Sequence, residues 1–137
     1  MTQYFELPEY SAILTFLDAV LAEINMGIFI YHLEDHEDER KLKLIYANKE
    51  ASNCTGADMA PLVGKYILEA FPALAETDIP KAYRDVVVEG KSRRIGTVDY
   101  EDANLQKRSY AVRAFPMPAG CMGVLFESTS DNGSPEA

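Results

Sequence analysis

The chain has 137 residues, of which 47% are hydrophobic and 26% are charged, as is usual for one soluble globular domain. Its net charge of -9 argues against direct binding to nucleic acid or to an anionic membrane surface, because both are negatively charged. The two cysteines, Cys54 and Cys121, have no pairing pattern, which favours a reducing compartment. No apolar run approaches the roughly 20 residues needed to cross a bilayer, so we expect a cytoplasmic domain without membrane contact.

The first 24 residues predict a short lead-in followed by an amphipathic helix. From Tyr10 to Ile24, apolar residues recur at spacings of three and four, the period of one helical face. They are Ile13, Leu14, Leu17, Val20, Leu21 and Ile24. Such a face packs either on its own domain or on a second copy of the chain. The sequence leaves both open, and the hypothesis carried forward is a homodimer through the Tyr10–Ile24 helix.

Two strands joined by a charged connection are predicted next. Residues 28–33 are rich in β-forming residues. Residues 34–40 are nearly all charged, which is typical of a solvated loop. Residues 41–47 alternate in the period of a strand, with Leu42, Leu44 and Tyr46 in one phase. The pattern predicts an antiparallel hairpin with a long connection.

Asn48 ends the second strand and predicts the start of a helix. Its side-chain oxygen can accept a hydrogen bond from a backbone N–H two or three residues on, satisfying a donor of the first turn. The helix is expected to reach about Cys54, where Gly56 supplies a left-handed stop. Helix capping, rather than contact with a ligand, is therefore the expected role of Asn48.

The second half of the chain predicts a longer helix and three strands. Residues 79–89 form the helix, with Pro80 in its first turn and Gly90 at its end. Residues 92–101, 106–115 and 121–126 read as strands separated by turn residues. The predicted fold is α+β: a five-stranded antiparallel sheet with helices packed on one face and an N-terminal flanking helix. The expected division is 1–24 for the lead-in and flanking helix, 25–127 for the domain and 128–137 for a polar tail.

Several short motifs, taken in order, resemble those of the PAS sensor domain. Residues 26–30 look like its first strand, and residues 45–51 (IYANKEA) look like its YANxAA corner. Residues 62–65 (LVGK) resemble its LIGK turn, while residues 110–116 and 123–126 resemble its last two strands. The motifs cover nearly the whole chain. The resemblance implies a sensor module of a bacterial signalling protein, with an effector domain such as the histidine kinase of a two-component system.

The cofactors of that family can be compared with the residues present. Flavin-binding members carry a Cys soon after the Gly turn, but residues 65–68 follow Gly64 here without a thiol. Haem-binding members present a His from the long helix, and residues 79–89 contain none. Flavin and haem are therefore disfavoured, and no cofactor or metal is predicted. A weaker metal-site alternative lies in the charged loop, with His32, Asp35, His36 and Asp38 as its candidate ligands.

If a small molecule binds, we expect it between the sheet and the helices, because PAS domains differ from one another in what they bind there. Pockets are mostly apolar with few polar groups. The candidate lining is Ile28, Ile30, Met59, Ile67, Phe71, Tyr83, Val87, Tyr110, Val112, Met122 and Val124. Tyr46, Tyr83 and Tyr110 are the candidate polar contacts, and Arg113 is a candidate for holding an anion. The same apolar residues would also suit a filled core that binds nothing.

Three functions fit these patterns. The leading hypothesis is a non-catalytic sensor or interaction module that dimerises through its N-terminal helix. The alternative is a cone-shaped α+β enzyme of the ketosteroid-isomerase kind, which needs a pocket-facing Asp or His beside a Tyr donor. Asp85 with Tyr110 is the pair to consider, because Asp99 and Tyr100 are neighbours on a strand and face opposite sides. The third is a ligand-free dimerisation scaffold.

Overall fold

The computed structural model describes residues 10–129, and the side chains of residues 15–129. The predicted lead-in, most of the polar tail, and the side chains of Ile13 and Leu14 lie outside the described residues. The helices are α1 (Tyr10–Ala22), α2 (Lys49–Thr55), α3 (Ile67–Ala70) and α4 (Ile79–Glu89). The strands are β1 (Gly27–Leu33), β2 (Leu42–Ala47), β3 (Arg93–Tyr100), β4 (Arg108–Met117) and β5 (Cys121–Ser128). Short 3₁₀ turns span Glu39–Lys41, Ala60–Leu62 and Pro72–Glu76.

The five strands form one antiparallel sheet in the order β2-β1-β5-β4-β3. The predicted hairpin of β1 and β2 is present, and so are the two hairpins that join β3, β4 and β5 in sequence. The long crossover from β2 to β3 carries α2, α3 and α4. The predicted α+β fold is confirmed.

The sheet has two apolar faces, which we call the inner and outer faces. On the inner face, residues of α2, α3 and α4 join one buried cluster with the strands, including Ala51, Ile67 and Val86. On the outer face, Leu21 of α1 packs with Ile28, Ile30 and Tyr46 in a separate cluster. Burying both faces removes apolar surface from water, which is the main stabilising contribution to the fold.

The residues of β1 that face the inner side of the sheet are not the ones predicted. Phe29 and Tyr31 belong to the inner cluster, whereas Ile28 and Ile30 belong to the outer one. The prediction that Ile28 and Ile30 line the space between sheet and helices is therefore wrong. Successive strand residues point to opposite faces, but every residue of 28–31 is apolar, so alternation in the sequence does not reveal which half faces inward.

A bulge in β2 changes the face on which Tyr46 lies. Ile30 pairs with Tyr46 and Tyr31 with Leu44, so Ile45 is the extra residue in this strand. Leu42 and Leu44 remain on the inner face, but Tyr46 moves to the outer face with Ile45. Tyr46 was predicted as a polar contact for a ligand between sheet and helices. That prediction is wrong, because the bulge reverses the alternation at this point.

Asn48 joins β1, β2 and α2 at one buried corner. Its Oδ1 accepts hydrogen bonds from the backbone N–H groups of Ala51 and Ile28, each at 2.9 Å. Its Nδ2 donates to the carbonyl oxygen of Met26 at 3.0 Å. The side chain is 2% exposed, so these three bonds replace those it would make with water. The predicted capping role is confirmed, and Gly56, which directly follows the last residue of α2, has the predicted left-handed conformation (φ 79°).

Helix α1 lies on the outer face and presents two apolar sides. Leu21 is buried against the sheet and Leu17 is partly buried beside it. Phe16 and Val20 of α1 are exposed by 63% and 64%, and Ile24, in the turn after the helix, is exposed by 51%. The single apolar face expected from the sequence is thus divided between the sheet and the surface. Within residues 10–129, no helix is long and apolar enough to cross a membrane.

Candidate ligand cavity

A cavity of about 70 Å³ lies between the inner face of the sheet and the helices. We call it the inner cavity. Its lining consists of Phe29, Tyr31, Thr55, Phe71, Leu74, Ile79, Tyr83, Val98, Tyr100, Leu105, Tyr110, Val112, Val124 and Phe126. Every one of these side chains is aliphatic, aromatic or hydroxyl-bearing, so the wall is apolar and carries a few hydroxyl groups.

The predicted lining residues fall into three groups. Phe71, Tyr83, Tyr110, Val112 and Val124 line the inner cavity. Met59, Ile67 and Met122 lie in the surrounding core without reaching the wall, and Val87 packs at the edge of that core. Ile28 and Ile30 lie on the outer face, as described above.

Other wall residues were not predicted from the sequence. Phe29 pairs directly with Val124 across β1 and β5, and directly paired residues share a face of the sheet. The sequence did indicate Phe126, because it alternates with the predicted wall residue Val124 in β5 and so shares its face of the sheet. Leu105 lies in the β3–β4 turn and is only 6% exposed. No periodic pattern predicts a buried residue within a turn.

Aromatic rings hold much of the wall in place. Tyr31 and Tyr83 lie with their ring centres 5.8 Å apart, joining β1 to α4. Phe126 packs edge-on against Tyr110 at 5.8 Å and an angle of 83°, and Phe71 meets Tyr100 at 5.8 Å and 88°. Edge-to-face contacts of this kind favour one relative orientation of the rings. The hydroxyl groups are therefore carried on side chains with defined positions.

The tyrosine hydroxyls of the wall differ in their partners. Tyr100 donates to Asp102 Oδ2 and accepts from the backbone N–H of Ala73 at 3.3 Å. The Tyr110 hydroxyl is buried and has no hydrogen-bond partner within the described part of the chain. Burial raises the pKa of Tyr31, Tyr83 and Tyr110 above the ordinary tyrosine value, because it disfavours the charged phenolate. At neutral pH these groups are therefore uncharged hydrogen-bond donors.

The β3–β4 turn contributes Leu105 to the wall of the inner cavity. Asp102 Oδ1 accepts from the backbone N–H groups of Asn104 (2.8 Å) and Leu105 (2.9 Å). Its other oxygen accepts from Tyr100. One carboxylate thus fixes the turn that places Leu105 in the wall.

The remaining candidate sites do not assemble. Asp85 lies 3.5 Å from Arg93 in an ion pair rather than on the cavity wall, and Asp99 accepts from Ser109 on an exposed part of the sheet. Asp85 and Tyr110 therefore do not form the pair considered for the enzyme alternative. Arg113 is exposed on β4. From residue 15 to residue 129, no group of three or more His, Cys, Asp or Glu side chains is placed to hold a metal ion.

Comparison with known proteins gives a match at the level of structure. No protein-family model matches the chain, and no curated protein matches it in sequence. A domain of a sensory box sensor histidine kinase/response regulator from Geobacter sulfurreducens aligns with a TM-score of 0.58 and 15% identity, over 83% of this chain and 96% of that one.

Two further structures extend the comparison. The PAS domain of a LuxR-family transcriptional regulator from Burkholderia thailandensis, in complex with ethanol, aligns with a TM-score of 0.56 and 15% identity over 77% and 90% of the two chains. A Rhodobacter sphaeroides LOV protein aligns with 0.59 and 12% identity over 79% and 61%. Together with the sheet order and the Asn48 corner, these alignments show that the chain has the PAS fold.

Proposed function

We propose that the chain is a non-catalytic sensor module of a signalling protein, which binds a small molecule in the inner cavity and dimerises through α1. The observation that carries the proposal is the inner cavity itself, a space of about 70 Å³ whose wall is apolar and includes the side chains of Tyr31, Tyr83 and Tyr110. Ligand pockets in proteins are mostly apolar with a few polar groups that orient the ligand.

The named structures support the same proposal. One similar domain comes from a sensor histidine kinase, which fits an effector of the two-component type. Another is a PAS domain in complex with ethanol, so a domain of this fold can hold a very small organic molecule. A cytoplasmic location fits the two cysteines, both of which are free thiols; Cys54 packs on the inner cluster and Cys121 on the outer one.

Native mass spectrometry of the protein purified from cells tests ligand binding. We expect a mass above that of the chain, which disappears on unfolding and is recovered as a small organic molecule. Protein that carries only its own mass, and whose stability does not respond to any metabolite extract, would contradict the sensor proposal and favour the ligand-free scaffold.

Dimerisation is tested through the exposed side of α1. Phe16 and Val20 lie four residues apart on α1 and form an exposed apolar stripe, and Ile24 in the turn after the helix is exposed as well. A second copy of the same stripe would bury it in a symmetric contact. We expect Val20→Lys to convert the dimer to a monomer in analytical ultracentrifugation. Val88, which is exposed by 51% on α4, provides the matched control, and Val88→Lys is expected to leave the dimer intact. A chain that stays dimeric with Val20→Lys does not dimerise through this stripe.

A further inference from the structure

The outer face of the sheet is buried unevenly. Its fully buried residues belong to α1, β1 and β2. On β4 and β5, the outer-face residues Phe115, Met117 and Leu125 are only partly buried. We call the surface formed by these three side chains the open half of the outer face. Because burial of apolar surface is stabilising, a further apolar element could pack there.

The exposed side of α1 combines apolar residues with an acidic one. Glu23 follows Phe16 by seven residues and Val20 by three, so it lies on the same side of the helical turn. Its backbone N–H donates to the carbonyl oxygen of Val20 at 3.2 Å, which continues the turn beyond the last residue of α1. Glu23 is exposed and belongs to none of the ion pairs in the described part of the chain. Residues 10–24 contain no basic residue, so this side of α1 brings only negative charge to whatever it contacts.

Two arginines lie beside the open half of the outer face. Arg113 of β4 pairs directly with Leu125 on one side and with Arg94 of β3 on the other. Both arginines are exposed, and neither belongs to an ion pair among residues 15–129. Like charges directly opposite each other on neighbouring strands are destabilising. An acidic group placed over Arg113 would therefore relieve a repulsion as well as form an ion pair.

We infer that the exposed side of α1 packs on the open half of the outer face of a second copy of the chain, with Glu23 of one copy opposite Arg113 of the other. Each copy has one such helix side and one such open half, so a two-fold axis forms the contact twice. The two α1 helices then lie side by side between two sheets, which buries both apolar sides of each helix. This inference rests on the dimer in the proposed function, because it names the surface that receives the stripe.

Charge reversal tests the inference in sedimentation equilibrium of the full chain. Glu23→Arg brings two positive side chains together in each contact, and Arg113→Glu brings two negative ones together. We expect each variant to weaken the dimer about tenfold, because repulsion replaces a surface ion pair in both symmetric contacts. The matched control is Lys81→Glu, which makes the same change of charge at an exposed position of α4. It should leave the affinity of the dimer unchanged.

A mixture of the two variants distinguishes a contact between copies from one within a single copy. In a heterodimer of Glu23→Arg with Arg113→Glu, each of the two contacts again joins one positive and one negative side chain. We therefore expect the mixture to associate with the affinity of the wild type, as measured by sedimentation with one variant fluorescently labelled. The double variant Glu23→Arg/Arg113→Glu should dimerise equally well, because both of its contacts also pair opposite charges.

The results separate this inference from the proposed dimer. Unchanged affinity of both single variants would overturn the inference, and so would a mixture that associates no better than either variant alone. If Val20→Lys gives a monomer while the charge reversals have no effect, the dimer through α1 stands and its packing on the sheet fails. If Val20→Lys and the charge reversals all leave the dimer intact, or if the wild type is a monomer, the proposed dimer fails together with this inference.

Discussion

The Tyr46 hydroxyl donates a hydrogen bond to Asp18 Oδ1 across 2.8 Å. The same carboxylate oxygen lies 3.3 Å from the backbone N–H of Lys49, the first residue of α2. Asp18 therefore ties α1 on the outer face to the corner from which the inner helices begin. Since α2 ends at Thr55 in the wall of the inner cavity, this contact offers a physical route by which the cavity and the α1 surface can be coupled.

Removing this contact should loosen α1. We expect Tyr46→Phe to lower the free energy of unfolding by about 1 kcal/mol, the usual net contribution of a part-buried hydrogen bond. Amide hydrogen exchange in α1 should become faster, while exchange in β4 and β5 stays unchanged. In a double-mutant cycle with Asp18→Ala, the two effects should be non-additive. Additive effects would show that the Tyr46–Asp18 pair contributes nothing to the attachment of α1.

We expect a substitution at the buried Asn48 corner to lower the free energy of unfolding by more than Tyr46→Phe does. Asn48→Ala removes the cap of α2, worth about 1 kcal/mol, and leaves the backbone groups of Ile28 and Met26 without partners, each at about 1–3 kcal/mol. We predict a total loss of about 3–7 kcal/mol in chemical denaturation. The control is Asn53→Ala, since the Asn53 side chain is exposed and donates to Glu50 on the surface; this variant should cost less than about 0.5 kcal/mol. Similar losses for both variants would contradict the role of this corner.

The surface pair of Glu34 and Tyr66 predicts the direction in which stability changes with pH. The hydrogen bond from Tyr66, followed by the charge of Lys43, lowers the pKa of Glu34 below its ordinary value. A carboxylate with a lowered folded-state pKa contributes stability above its unfolded-state value, and this contribution is lost as the pH falls through the lowered pKa. Tyr66→Phe should therefore raise the pKa of Glu34, as measured by NMR titration. A Glu34 pKa that stays low in this variant would show that Tyr66 does not cause the shift.

Asp102 should hold the β3–β4 turn, which carries Leu105 of the cavity wall. Asp102→Ala removes the acceptor for Asn104, Leu105 and Tyr100, and we expect it to cost about 1–2 kcal/mol. Amide exchange in residues 101–107 should accelerate, because these bonds hold the turn. Glu101→Ala, at the exposed neighbouring position, is the control and should leave this exchange unchanged. Unchanged exchange of residues 101–107 in Asp102→Ala would contradict this role.

The order of elements could be predicted because local signals mark their ends. Asn48 and Gly56 bound α2, and Pro80 and Gly90 bound α4, as the structure confirms. These signals depend on backbone hydrogen bonds and on conformations that few residues adopt. They require no knowledge of distant parts of the chain.

The faces of the strands could not be predicted in the same way. β1 is apolar throughout and packs on both sides, so the choice between Phe29 and Ile28 for the inner face is made by pairing with β5. The bulge at Ile45, which moves Tyr46 outward, depends on how β2 fits against β1. The position of Leu105 depends on the bonds of Asp102. These three features depend on tertiary contacts, either between distant segments or between side chains. A periodic pattern in the sequence therefore cannot predict them.

The central proposal is that a small molecule binds in the inner cavity and that its binding is transmitted to the α1 surface through Asp18. The most direct measurement is amide hydrogen exchange of α1 in the full chain, with and without the small molecule recovered from the purified protein, in wild type and in Tyr46→Phe. We predict that the molecule changes exchange in α1 as well as in the cavity wall, and that Tyr46→Phe reduces the change in α1 but not the change in the wall. Exchange that changes in the wall while α1 stays the same would contradict a sensor that signals through this helix.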